Sequence, residues 1–221
     1  MCSDSMIHNQ TEMKIPIDNV EVDGTLTMPP GAKAVVLFAH GSGSSRFSPR
    51  NKYVAKEFNK AKIATLLFDL LTAEEEEIDV VTSQYRFNIA LLAMRLVWVT
   101  KWLRNDLLTK TLAFGYFGAS TGAAAALIAA AKLPNDIMAV VSRGGRPDLA
   151  GEYLPSVVAP TLLLVGGLDT EVIELNRFAI DQMTNEKKLA IIPGATHLFE
   201  EPGTLELVAK ASADWFLRYL R

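Results

Sequence analysis

Apolar and polar residues alternate along residues 13–29, MKIPIDNVEVDGTLTMP. A period of two is typical of strands with one buried face, and Asp18-Asn19 and Asp23-Gly24 are candidate turns within the segment. The pattern therefore predicts an antiparallel hairpin at one edge of a sheet. About ten polar residues precede it, and we expect residues 1–10 to be a poorly ordered segment.

The pattern then changes to short, continuous apolar runs, which are typical of parallel strands buried on both faces. These runs are AVVLFAH, IATLLFDLL, TLAFGYFG, IMAVVSRGG, TLLLVGG and KLAIIPGA. Helical patterns separate them, so the sequence predicts a doubly wound α/β sheet with helices on both faces. No Pro/Gly/Ser linker interrupts the alternation, and residues 1–221 are predicted to form a single domain.

Each predicted helix has its own signal. Ser48-Pro49 is a start signal for the first, and Thr204 is the predicted N-cap of the last. A further helix follows Ser120, and another covers Glu171 to Met183. A longer helix places five apolar residues on one face, namely Phe87, Leu91, Met94, Trp98 and Trp102. The charged run TAEEEEID is expected to be a solvated loop rather than a cation site.

Composition narrows the range of functions. Hydrophobic residues make up 49% and charged residues 21% of the 221 residues, as in ordinary globular proteins. The net charge of −3, with no basic stripe, argues against a nucleic-acid partner, and the absence of a long apolar run argues against a membrane partner. Cys2 is the only cysteine, which excludes an intrachain disulfide. We therefore expect a protein of the cytoplasm.

The segment FGYFGASTGAAAALIAAA contains the candidate chemistry. Gly118-Ala119-Ser120-Thr121-Gly122 matches G-x-S-x-G, a strand-to-helix turn that raises a serine hydroxyl above the sheet. The glycines avoid collisions in the turn. The alanines let the next helix approach the sheet closely, with its positive N-terminal end towards any developing negative charge.

Two other predicted strands end in complementary residues. LLLVGGLDT ends with Asp169, and LAIIPGATHLFEE contains His197, so the chain order is Ser, Asp, His. A serine hydroxyl needs an imidazole as base, and the imidazole needs a carboxylate to fix its tautomer. The expected catalytic residues are therefore Ser120, Asp169 and His197, with Asp148 and then Asp69 as alternative acids.

An earlier loop, FAHGSGSSR, contributes the predicted oxyanion hole. Its first donor is the backbone N–H of Gly41 or Ser42, and its second is the N–H of Thr121. His40 is interpreted as a hydrogen-bonded structural residue. No residue is predicted to bind a metal, and no cofactor is required.

Three arginines are predicted at the same end of the sheet: Arg46, Arg143 and Arg146. Guanidinium groups bind carboxylates and phosphates in bidentate fashion, which makes a socket for an anionic substrate one interpretation. The alternative is that these arginines pair with neighbouring acids and brace the loops.

With these motifs, the sequence resembles the dienelactone hydrolase-like branch of the α/β-hydrolase superfamily over nearly its whole length. The matching segments are His40-Gly41, GASTG, GGLD and GATHLFEEPG. The resemblance implies an α/β-hydrolase fold without a lid domain. SRGGRPDLA and PGATHLFEEPGTL are similar to small hydrolases whose relatives occur joined to phosphoribosyltransferase domains. Dienelactone hydrolases proper have cysteine where this chain has Ser120, which argues against dienelactone as the natural substrate.

Three functional hypotheses follow. The first is a serine hydrolase of small carboxylic esters or lactones. The second is a catalytically weak binding or regulatory module, associated with a phosphoribosyltransferase. The third takes HGSGSSR as a phosphate-binding loop, but this segment lacks the spacing of known nucleotide-binding motifs and is the least favoured.

Overall fold

A computed structural model describes residues 9–220 of the chain. Eight strands form one sheet in the order β1-β2-β4-β3-β5-β6-β7-β8. Pairing is antiparallel between β1 and β2 and between β2 and β4, and it is parallel between all other neighbours. The strands are β1 (Asn9–Ile17), β2 (Val20–Met28), β3 (Ala34–Ala39), β4 (Ala64–Phe68), β5 (Ala113–Ala119), β6 (Ile137–Arg143), β7 (Thr161–Gly166) and β8 (Lys187–Ile192).

Helices cover both faces of the sheet. They are α1 (Pro49–Lys60), α2 (Ala73–Thr82), α3 (Ile89–Asn105), α4 (Thr121–Lys132), α5 (Thr170–Gln182) and α6 (Thr204–Tyr219), with a kinked 3₁₀ segment at Pro147–Ser156. One core cluster joins the sheet to α3, α4 and the end of α5, and a second joins its other face to α1 and α6. The predicted α/β architecture is confirmed, and no lid domain stands over the sheet in residues 9–220. None of the helices described is long and apolar enough to cross a membrane.

The N-terminal hairpin is confirmed, with two corrections. Its turn is Asp18-Asn19, whereas Asp23-Gly24 lies inside β2. A Cβ atom at Gly24 would lie 3.1 Å from Ile15 Cδ1, so the glycine serves close packing rather than a turn. The predicted disordered segment extended to residue 10, but β1 begins at Asn9. The rest of that prediction, including Cys2, lies outside the described residues.

TAEEEEID is partly exposed to solvent as predicted, but the prediction of a loop is wrong, because Ala73–Thr82 forms α2. Thr72 accepts the Glu75 N–H, and the Glu75 carboxylate accepts the Thr72 N–H, which makes a capping box. Glu75 also pairs with Arg95 at 2.5 Å. Asp79 is the buried residue of this helix. A polar contact, the Glu75–Arg95 pair, therefore joins α2 to α3.

The other helices begin close to their predicted positions. The Ser48 side chain accepts the Asn51 N–H at the start of α1 as predicted, whereas the N-cap of α6 is Gly203 rather than Thr204. Helix α3 begins at Ile89, so exposed Phe87 lies before it. The predicted face of α3 is only partly buried. Its deepest side chains belong to the adjacent stripe Leu92, Leu96, Val99 and Leu103.

Candidate active site

Ser120 lies in the turn between β5 and α4, and its backbone is strained. Its φ of 52° and ψ of −125° are values that side-chain-bearing residues rarely adopt. A Cβ atom at Gly118 would lie 2.5 Å from Ala123 Cα, and one at Gly122 would lie 2.5 Å from the His40 carbonyl oxygen. Neither position accepts a larger residue without movement of the backbone. The two glycines therefore permit the sharp turn that the sequence predicted.

The alanines that follow bring α4 close to the sheet. Every residue from Thr121 to Ala130 is buried. Because α4 begins directly after Ser120, its unpaired N-terminal N–H groups and the positive end of its dipole lie next to the serine. This position favours negative charge beside Ser120.

His197 and Asp169 meet across two loops that follow neighbouring strands. His197 Nδ1 lies 2.7 Å from Asp169 Oδ2. The Asp169 side chain is 15% exposed and that of His197 is 39% exposed, so the imidazole remains open to solvent. A carboxylate on Nδ1 fixes the tautomer and directs Nε2 outward as a proton acceptor. The predicted acid and base are thus in hydrogen-bond contact.

Two further contacts brace these loops, and the sequence reading missed both. The Leu168 N–H donates to the Ala195 carbonyl at 2.9 Å, which ties the Asp169 loop to the His197 loop. Thr196 donates its hydroxyl to Glu201 at 2.6 Å and its N–H at 3.1 Å. The Thr196 hydroxyl is the main cause of a lowered pKa for Glu201. No motif in the sequence marks this pair.

The segment after β6 lies between Ser120 and His197. The Arg143 carbonyl accepts the Ser120 N–H at 3.3 Å, and the Ser120 carbonyl accepts the Arg146 N–H at 3.1 Å. A Cβ atom at Gly144 would lie 3.6 Å from His197 Cε1. Among the residues described, no hydrogen bond joins the Ser120 hydroxyl to His197. Such contacts are often long in ligand-free enzymes and shorten when substrate binds.

The loop after β3 packs directly against the serine. A Cβ atom at Gly41 would lie 3.0 Å from Ser120 Cβ and 3.7 Å from its Oγ. The Ser42 N–H is already engaged, because it donates to Thr121 Oγ1 at 3.0 Å. Of the two predicted alternatives for the first oxyanion donor, Gly41 is therefore the one that this arrangement favours.

His40 has the environment expected of a structural residue. Its Nδ1 lies 3.0 Å from the Gly41 carbonyl, and its Nε2 accepts the Leu70 N–H at 3.0 Å. Burial lowers the pKa of His40, although the Gly41 hydrogen bond and the charges of Asp69 and Glu76 oppose the shift. The neutral ring ties the end of β3 to the end of β4.

The alternative acids do not contact His197. Asp148 forms a bidentate pair with Arg146, at 2.9 and 2.8 Å, and this pairing raises the pKa of Arg146. Asp69 accepts the Arg46 backbone N–H at 2.7 Å and pairs with its guanidinium. Arg46 and Arg146 are thus both paired with acids of neighbouring residues or loops, as the second interpretation of these arginines predicts.

Arg143 differs from the other two arginines. Arg143 is 8% exposed, and its Nη1 is buried without a hydrogen-bond partner. Within residues 9–220, no acidic side chain pairs with Arg143. Burial lowers the pKa of Arg143 to about 10, and the charge of Arg50 adds to the effect. Its guanidinium carbon lies 6.0 Å from the Phe117 ring centroid. Arg143 is thus a buried cation at the end of β6, next to the strand that leads to Ser120.

A cleft of about 400 Å³ lies beside Gly43 and Arg46, at the ends of β3 and β4. Four carboxylates line it, those of Glu21, Asp23, Asp69 and Glu76. An anionic group would be repelled there. Within the described residues, no group of three or more His, Cys, Asp or Glu side chains is arranged to hold a metal ion.

Comparison with known proteins identifies close relatives. The structure superimposes on a dienelactone hydrolase from Anabaena variabilis with a TM-score of 0.96 and 56% identity, covering 97% of this chain and 99% of that one. Two esterases of 18% identity share the fold, Est1E from Butyrivibrio proteoclasticus with a TM-score of 0.77 and an esterase from Pyrococcus furiosus with 0.79. These cover 94% and 100% of this chain, and 98% and 95% of the esterases.

Among curated proteins, the chain is 56% identical over 209 residues to a putative phosphoribosyl transferase from two strains of Mycobacterium tuberculosis. The match covers 95% of this chain but 46% of those proteins, so the chain spans about half the length of these curated relatives. No family model matches it. The full-length match to the Anabaena protein, together with the eight-stranded sheet and the strained turn at Ser120, shows that the chain belongs to the dienelactone hydrolase family of α/β-hydrolases.

Proposed function

We propose that this α/β-hydrolase is a serine hydrolase of small carboxylic esters or lactones, in which Ser120, His197 and Asp169 form a catalytic triad. One observation carries the proposal. The imidazole of His197 lies 2.7 Å from the Asp169 carboxylate. The segment after β6, which packs beside this imidazole, is hydrogen-bonded to the strained residue Ser120. A strained serine beside an oriented, solvent-open imidazole is the arrangement that acyl transfer requires.

The steps follow from these positions. Ser120 Oγ attacks the carbonyl carbon while His197 Nε2 takes the hydroxyl proton, and the carbonyl oxygen becomes negative. The backbone N–H groups of Thr121 and Gly41, together with the N-terminus of α4, stabilise this oxyanion. The imidazolium then protonates the leaving alkoxide, and the C–O bond breaks to leave an acyl-enzyme. Water, deprotonated by His197, releases the acid and regenerates Ser120.

Arg143 suggests the substrate class. Burying a guanidinium without an acidic partner costs free energy of folding, because a charge removed from water loses its hydration. Such a cost is consistent with a functional role. We include in the proposal that Arg143 attracts substrates with a carboxylate or phosphate group. The carboxylates of the neighbouring cleft favour the Arg143 side for that group.

Labelling and turnover test the proposal together. A fluorophosphonate probe should label Ser120, and Ser120→Ala should lower the turnover of a short-chain aryl ester by a factor of about 10⁴ or more, as removal of a triad nucleophile does. Ser212→Ala, which removes a buried hydroxyl on α6, is the matched control and should retain activity. Unchanged turnover in Ser120→Ala would exclude the serine from the mechanism.

A second function is favoured by the length of the curated relatives. Because the chain matches 46% of proteins named putative phosphoribosyl transferases, it corresponds to one part of a longer polypeptide there. In this alternative the chain is a catalytically weak module that binds a phosphoribosyltransferase. Stable co-elution with such an enzyme, combined with no turnover on ester, thioester and lactone panels, would support it. A location in the cytoplasm remains a prediction.

A further inference from the structure

The hydroxyl of Thr121 connects the two sides of the proposed oxyanion hole. Thr121 is the first residue of α4, and its side chain accepts the Ser42 N–H at 3.0 Å across 79 positions in the sequence. Thr121 is 5% exposed, so this hydrogen bond is shielded from water. It is a direct polar link between the loop after β3 and the turn that holds Ser120.

The other hydrogen bonds of the loop lie within it or join it to β4. Within it, the Ser44 N–H donates to the Gly41 carbonyl at 3.2 Å, and the His40 ring contacts the same carbonyl. Gly43 has a φ of +67°, which completes a tight turn. These contacts shape the loop internally, while the Leu70 N–H to His40 and the Arg46 N–H to Asp69 tie it to β4. None of them is a hydrogen bond to the turn that holds Ser120.

We propose that Thr121 is a positioning residue whose hydroxyl holds the oxyanion loop against the serine turn, so that the Gly41 N–H is aligned before substrate binds. This inference rests on the proposed function. The Ser42 N–H is then a structural group, occupied by Thr121, and the donors to the oxyanion are the N–H groups of Gly41 and Thr121. Preorganised donors act best when their positions do not change during the reaction.

The value of kcat should therefore depend on the Thr121 hydroxyl, although this hydroxyl does not itself contact the substrate in the proposal. Thr121→Val keeps the shape of the side chain but leaves the Ser42 N–H without an acceptor, and the loop is free to shift. Displacement of a catalytic group by about 1 Å lowers a rate by roughly 10²-fold. We expect kcat for an aryl ester to fall by about that factor with little change in KM, because oxyanion contacts strengthen in the transition state.

Controls separate positioning from general destabilisation. Thr121→Ser retains the hydroxyl and should restore most of kcat, whereas Thr121→Ala should not. Thr161→Val removes another buried hydroxyl, at the start of β7 and so at the opposite end of the parallel strands from Ser120, and should leave kcat unchanged. If Thr121→Val does not fold, the comparison of Thr121→Ser with Thr121→Ala decides the question by itself.

Amide hydrogen exchange provides a readout that does not need activity. In Thr121→Val, or in Thr121→Ala, the Ser42 amide should exchange at least about tenfold faster than in the wild type, because it loses its acceptor. An unchanged exchange rate would overturn the proposed link.

Wild-type or higher kcat in Thr121→Val would overturn the positioning role, and a higher kcat would mean that the hydroxyl obstructs the oxyanion hole. Failure of the wild type to react with ester or fluorophosphonate would count against the proposed function, and exchange would still test the link.

Discussion

The Leu70 backbone N–H donates to Nε2 of His40 at 3.0 Å, and this bond requires a neutral imidazole. A protonated ring has a hydrogen on both nitrogens and cannot accept. The contact lies one residue before Gly41, so the protonation state of His40 affects the anchoring of the oxyanion loop to β4.

The free energy of unfolding should therefore decrease as the pH falls, and protonation of His40 should account for part of that decrease. Burial lowers the pKa of His40 in the folded state, so the unfolded chain binds this proton more tightly. The stabilisation is complete above the unfolded pKa of about 6.5 and is lost as the pH falls below that value towards the folded pKa. Urea denaturation of the wild type at pH values from about 8 down to about 5 should show this fall in the free energy of unfolding.

The control for this prediction is a pair of substitutions. His40→Gln should be less stable at neutral pH and should lose most of the slope, because it does not titrate. His197→Gln should retain the slope, since His40 is unchanged in it. Equal slopes in the wild type and His40→Gln would show that another group causes the acid sensitivity.

The identity of the acid in the triad gives a second prediction. Asp169→Asn should lower kcat by a factor of about 10⁴, because an amide does not hold the His197 tautomer or stabilise the imidazolium. Asp148→Asn tests the alternative acid, and its effect should be much smaller because Asp148 pairs with Arg146 instead. Steady-state kinetics on one aryl ester measures both. A larger loss in Asp148→Asn would reverse the assignment.

The glycines of the serine turn give a third prediction. At Gly122 a Cβ atom would collide with the carbonyl oxygens of Ala39 and His40, which are backbone atoms that cannot rotate away. We expect Gly122→Ala to lower the free energy of unfolding by about 3 kcal/mol, at the upper end of the range for overpacking. Gly167→Ala is the matched control, because its nearest contact would be 3.2 Å from the Ile192 carbonyl oxygen. Urea denaturation should therefore separate the two variants clearly.

These predictions combine what the sequence indicates with what only the structure shows. Continuous apolar runs predict the parallel strands because burial on both faces leaves no polar alternation, and small residues predict the turn at Ser120. The charges of the run after Thr72 predict a solvated loop, whereas the run forms α2. Its Thr72-to-Glu75 spacing is a capping box, which stabilises the start of a helix whatever its charge.

The polar contacts of the site were less predictable for a different reason. Ser42 and Thr121 are 79 residues apart, and their contact depends on how two loops meet. The sequence also places Arg143 and Arg146 in one short segment with no sign that they differ. The structure pairs Arg146 with Asp148 and buries Arg143, because Arg143 is the last residue of β6 whereas Arg146 lies in the loop that follows it.

Arg143 supplies the final prediction, which concerns stability and specificity at once. Replacing a buried, unpaired cation by an apolar side chain of similar length removes a desolvation penalty, so Arg143→Met should unfold at equal or higher urea concentration than the wild type. If Arg143 attracts an anionic substrate group, kcat/KM of the same variant should fall at least about tenfold for a carboxylate-bearing ester and little for its neutral analogue. A tenfold loss corresponds to a charge-assisted contact of about 1.4 kcal/mol. Arg146→Met removes an arginine that is already paired and should not change the preference. A stabilised Arg143→Met variant with unaltered preference would assign the arginine no part in substrate selection.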